Sequence, residues 1–134
     1  MLKVCSFFSG SSGNCTYIES ESGAILIDAG VSMKKIFEKL SRISRKPQFI
    51  KAIFVTHEHI DHILSVGSIA RKLSIPVYAT KNTWRAMYKS IGRIEKDFIK
   101  PVEYDEGIDI DDITVSAFKI PHDAADPVGY KIKC

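Results

Sequence analysis

Apolar residues change period several times along the chain, and each change marks an element. Leu2 to Phe8 (LKVCSFF) reads as a strand, and residues 9–14 (SGSSGN) as a turn rich in residues that tolerate unusual backbone angles. Cys15 to Ser20 and Ala24 to Asp28 (AILID) pair as a hairpin closed around Glu21 to Gly23. Ser32 is placed to cap a helix in which Met33, Ile36, Phe37, Leu40 and Ile43 recur at helical spacing, and Pro47 follows closely as a stop.

Lys51 to Val55 (KAIFV) is a short, apolar strand. The pattern then predicts a helix from about His62 to Leu73 with Val66, Ala70 and Leu73 on one face, and a strand at Ile75 to Thr80. A further helix is expected from Asn82 through Ile91, burying Trp84, Met87, Tyr88 and Ile91. From Phe98 onward the chain is strand-like: FIKPV, IDI, ITVSAFKI and VGYKIKC, the last an alternating pattern with no closing turn. Strands alternating with amphipathic helices indicate an α/β architecture, with antiparallel strands added at both ends, in a single domain spanning 1–134.

Composition supports a globular domain. The chain has 134 residues, 45% of them hydrophobic, enough for a real core, and 26% charged. No apolar run is long enough to cross a bilayer, and MLKVCSFFSGSSGN lacks the features of a secretory signal. An odd set of three cysteines (Cys5, Cys15, Cys134) fits a reduced, cytoplasmic setting. From Lys34 to Lys51 seven Lys/Arg face a single Glu38, which is either a solvated helix face or a surface that attracts phosphate.

The chemistry concentrates in THEHIDH, residues 56–62, which holds three of the four histidines and two carboxylates. In an extended segment alternate side chains share a side, so His57, His59 and Asp61 converge, and a helix start lets His62 swing back. Imidazole and carboxylate suit zinc, manganese or iron, and buried polar groups in such number need a partner. Glu58 points the other way and is not expected to be a ligand. A catalytic zinc takes three protein ligands, and the remaining histidine is His122, also at a strand end. A metal centre therefore requires two distant strand ends to meet.

HEHIDH fits the HxHxDH signature of the metallo-β-lactamase superfamily. LIDAG, with Asp28, looks like that superfamily's first motif, and His122 is similar to its third. SGSSGNCTYIE, VTHEHIDHILSVGSIARKL and IPHDAADPVGY resemble the branch of WalJ-type (YycJ) DNA exonucleases, and the likeness runs from Leu2 to Cys134. The resemblance implies an α+β fold, an αββα sandwich, of which this chain is roughly the first half. It assigns one Zn²⁺ or Mn²⁺ to His57, His59 and His122, and a second to Asp61, also the catalytic carboxylate, and His62. It makes Asp28 a residue that hydrogen-bonds near the ligands, as against a turn-forming Asp before Gly30. In the loop, Ser9, Ser11, Ser12 and Asn14 either hold phosphate or simply form a tight turn.

The implied reaction is phosphodiester hydrolysis of nucleic acid by metal-activated water. Thioester, lactone and β-lactam hydrolysis use the same apparatus, and a non-catalytic, metal-stabilised interaction module is the reading from another class. The superfamily's fourth and fifth motifs have no counterpart here. The chain alone is therefore expected to hold about one metal and cleave poorly, with a missing second half or a homodimer partner completing the site. A half sandwich is also expected to leave apolar sheet surface uncovered.

Overall fold

The computed structural model describes residues 1–121 and 124–134. A six-stranded sheet is built from β1 (Lys3–Phe8), β2 (Cys15–Glu19), β3 (Ala24–Ile27), β4 (Ile50–Phe54), β5 (Val77–Thr80) and β6 (Ile99–Val102), in that spatial order. The first three strands run antiparallel, and β3 to β6 are mutually parallel. Pro101, which cannot donate to a ladder, sits in edge strand β6. A second, antiparallel sheet holds β7 (Ile108–Ile110), β8 (Ile113–Lys119) and β9 (Val128–Lys133).

Strand alternation sends the residues of the larger sheet to two cores. Ala24, Leu26, Ile53 and Val55 face the helices, together with Ile36 and Leu40 of α1 (Met33–Arg42) and Ile69 of α3 (Val66–Leu73). Ile18, Ile25, Ala52 and Phe54 face the other way, onto Ile113 and Val115 of β8. The layers are thus helix, sheet and sheet. The apolar face expected to lie open is largely covered from within the chain, by β7 to β9.

Helix α1 starts as its sequence indicates, with Ser32 Oγ accepting from the Lys35 N–H at 3.3 Å. Two other helices differ from expectation. The single helix over 62–73 is instead α2 (Ile60–Ile63) and α3. Its break has a clear cause. The Asp61 carbonyl accepts from Asn14 N–H (2.7 Å), the His62 carbonyl from Ala29 N–H (2.9 Å), and Ser65 N–H donates to the Ala29 carbonyl (2.9 Å). These groups would otherwise make the next intrahelical bonds. Tertiary partners took them.

Helix α4 (Lys81–Met87) is also shorter, capped by Thr80 rather than opened by Asn82. It ends at Met87, and a turn to Gly92 (φ 78°) follows. Trp84, Met87 and Ile91 are buried as expected, but Tyr88, beyond the last regular turn, is exposed. Among the described residues, no helix is long and apolar enough to cross a membrane, and Cys5, Cys15 and Cys134 are free.

Candidate metal centre

The carboxyl ends of parallel strands β3 and β4 lie side by side, and the residues following each meet there. This edge of a parallel sheet is the usual place for a ligand. Asp28, directly after β3, is buried and adopts the left-handed region (φ 65°), which costs a non-glycine residue roughly 1 kcal/mol or more. The strained backbone is tied down: Asp28 N–H donates to the Phe54 carbonyl at 2.8 Å. Its carboxylate is fully engaged. Oδ1 accepts from Thr56 N–H (2.7 Å), and Oδ2 accepts from the Thr56 hydroxyl (2.6 Å) and from His62 Nδ1–H (2.6 Å).

Those bonds fix two tautomers. Thr56 has one hydroxyl proton and gives it to Asp28, so at 2.9 Å it accepts from His57 Nδ1–H. The lone pair of neutral His57 is then on Nε2. His62 gives its Nδ1–H to Asp28, so in the neutral ring its lone pair is also on Nε2, 3.6 Å from Asp61 Oδ2. Burial pulls the His62 imidazole down. The hydrogen bond it donates to Asp28 and the charges of Asp28 and Asp61 outweigh that and hold it above its ordinary value.

The rings are close. The centroids of His57 and His62 are 3.9 Å apart and those of His57 and His59 4.8 Å, the latter edge to face. His57 is buried, while His59, Asp61 and His62 are partly exposed, so the cluster opens to solvent on one side. Among the described residues no group of three or more His, Cys, Asp or Glu is arranged to hold a metal ion. The donor set nonetheless fits one chemically: three imidazoles, two with a tautomer that presents Nε2, beside a carboxylate. His122, the third ligand expected for the first ion, lies outside the described residues.

The serine-rich loop divides. Ser9, Ser11 and Ser12 are exposed at its tip, whereas Asn14 turns toward the histidine motif and reaches Asp61 and His62. Glu58 is engaged elsewhere: its carboxylate accepts the Ala125 N–H at 3.0 Å. That bond, with Val128 N–H to the Thr56 carbonyl (3.0 Å) and Tyr130 O–H to the Val55 carbonyl (2.7 Å), fastens the 124–130 segment to the motif strand. Thr56 and the anchoring role of Glu58 escaped the sequence reading. A hydroxyl closing an otherwise apolar strand, just before a histidine cluster, was the available signal for Thr56.

A buried carboxylate organising a histidine cluster at the sheet end, on a helix–sheet–sheet frame, defines a class. The chain belongs to the metallo-beta-lactamase superfamily, whose family model matches residues 9–130. Over 125 residues it is 42% identical to the exodeoxyribonuclease WalJ of Streptococcus pneumoniae, a match covering 92% of this chain and 46% of that protein. It is 38% identical over 122 residues to the exodeoxyribonuclease YycJ of Bacillus anthracis, covering 91% and 46%. The chain therefore spans about half the length of these curated relatives. The crystal structure of the class B3 di-zinc metallo-beta-lactamase LRA-12, from an Alaskan soil metagenome, superimposes with a TM-score of 0.78 at 16% identity, over 90% of this chain and 52% of that one. That likeness speaks to the fold.

Proposed function

We propose that this chain carries the first-half metal ligands of a metal-dependent phosphodiesterase that acts as a DNA exonuclease. The observation behind this is the Asp28–Thr56–His57–His62 network: it puts the lone pairs of two neighbouring neutral histidines on Nε2, that of His62 beside Asp61. The identity to WalJ and YycJ supports nucleic acid as the substrate class.

In this reading His57, His59 and His122 hold one Zn²⁺ or Mn²⁺, and Asp61 and His62 contribute to a second. When bound, such cations polarise a phosphoryl oxygen and make water a competent nucleophile near neutral pH. The chain's own residues do the rest. Asp28 fixes the rotation of His62, and Thr56 that of His57. Glu58, bonded to Ala125, holds the segment that follows His122 against the motif. Exposed Lys34, Lys35 and Arg42 of α1 and its flank offer positive charge to a phosphate backbone, whereas Arg45 is committed to Glu19 (2.8 Å). Residues from beyond this chain, in a second half, would complete the second ion's ligands.

The test is nucleotide release from 5′-phosphorylated single-stranded DNA, by this chain and by a length-completed form. Chelation should abolish it, and Mn²⁺ or Zn²⁺ should restore it. His59→Ala should remove both hydrolysis and bound metal. Hydrolysis that survives chelation, or a His59→Ala protein with undiminished metal and turnover, would refute the proposal.

A further inference from the structure

We propose that Asn14 is a positioning residue for cation binding by Asp61 and His62, a role that rests on the reading of those two residues as ligands. The Asn14 carboxamide lies against both. Its Nδ2 is 3.3 Å from Asp61 Oδ2, 3.3 Å from the Asp61 carbonyl and 3.2 Å from His62 Nε2. One of its two hydrogens goes to the Gly10 carbonyl at 2.9 Å. The other is directed at the cluster of Asp61 and His62 acceptors. Asp61 Oδ2 keeps lone pairs for a cation while accepting such a bond, so the carboxylate is the ligand group that the amide supports, with the His62 ring alongside.

The amide is therefore the neutral group that lies against both the Asp61 carboxylate and the His62 ring from the loop side, while Asp28 orients His62 from the strand side. Its own position is over-determined. Oδ1 accepts from Gly10 N–H at 3.2 Å, Asn14 N–H donates to the Asp61 carbonyl at 2.7 Å, and Gly30 N–H donates to the Asn14 carbonyl at 2.8 Å. The preceding residue permits this close approach. At Gly13 (φ 146°) an added Cβ would come within 2.3 Å of Val31 Cγ1 and 2.7 Å of the Gly30 carbonyl oxygen. The residues of SGSSGN closest to the motif thus have a purpose separate from phosphate: they carry one amide to two donor groups.

The backbone bonds make a clean test, because Asn14→Ala keeps both docking bonds and deletes only the carboxamide. Asn14→Leu fills the same volume without a donor and guards against collapse of the loop. The full chain, with ¹⁵N-labelled histidine, is titrated with Zn²⁺ while the His57 and His62 imidazole resonances are followed separately. In both variants the His62 Nε2 resonance should move before any Zn²⁺ is added. The Zn²⁺ midpoint reported by His62 should rise by about 10- to 100-fold, the usual cost of losing a ligand's supporting partner, while that reported by His57 stays in place. An unchanged His62 resonance and midpoint in folded variants would overturn the inference and leave the metal reading standing. A His62 that ignores Zn²⁺ in the unsubstituted chain would overturn both.

Discussion

His62 Nδ1 and Asp28 Oδ2 stand 2.6 Å apart, linking the residue that follows β3 to the first turn of α2. Because Asp28 also accepts two bonds from Thr56, one buried carboxylate orients the side chains of two segments twenty-eight or more positions away. Asp28→Asn puts an N–H where one oxygen now accepts, leaving a buried donor facing a donor. The expected loss is about 1–3 kcal/mol of stability in urea unfolding. Zn²⁺ affinity read at His62 should fall by about 10- to 100-fold.

Thr56 separates hydroxyl from shape. Thr56→Val removes the proton given to Asp28 and the acceptor of His57 Nδ1–H, so it should cost about 1–3 kcal/mol and free the His57 tautomer. Thr56→Ser retains both bonds and should restore the His57 imidazole ¹⁵N pattern of the parent. Equal spectra for the Val variant and the parent would contradict the assignment.

Gly30 lets the first motif touch the second. A Cβ there would fall 1.7 Å from the Asp61 carbonyl oxygen and 2.3 Å from its carbon, both backbone atoms without room to yield. Gly30→Ala should therefore destabilise by about 3 kcal/mol or prevent folding. Gly107→Ala meets only Thr114 Cγ2, at 3.6 Å, and should stay within about 0.5 kcal/mol in the same unfolding measurement.

Away from the centre, Glu19 is nearly buried and takes a bidentate hydrogen bond from Arg45 (2.9 and 2.8 Å). That bond, helped by one from Tyr17 and opposed by burial, holds the Glu19 carboxyl below its ordinary value. A carboxylate with a lowered folded-state value stabilises the protein above its unfolded value near 4.5 and loses that contribution as pH falls through the folded one. Melting temperature against pH should fall steeply below about pH 4.5 in the parent. In Arg45→Met the acid limb should be shallower.

Much of the architecture was legible in local pattern. Alternation in AILID and KAIFV, and the 3.6-residue spacing behind Ser32, depend on neighbours a few positions apart, which sequence displays directly. HEHIDH announced its chemistry because several ligand-type side chains in so short a span have no packing rationale. The helix over 62–73 was misjudged for the opposite reason. Its Asp61 and His62 carbonyls bond to Asn14 and Ala29, more than thirty positions upstream, and no local pattern contains those partners.

By itself, then, the sequence determined which residue types gather and the order of strands and helices, since these follow from composition and short-range periodicity, and its motifs resemble those of the superfamily to which the chain belongs. Only the tertiary structure decided what the polar groups do to one another: that Asp28 grips His62, that Thr56 orients His57, that Asn14 turns inward, and that Glu58 reaches Ala125. Hydrogen bonds are short and directional, so their pairing is settled when distant strand ends are brought within a few ångströms. Spacing along the chain carries no record of it.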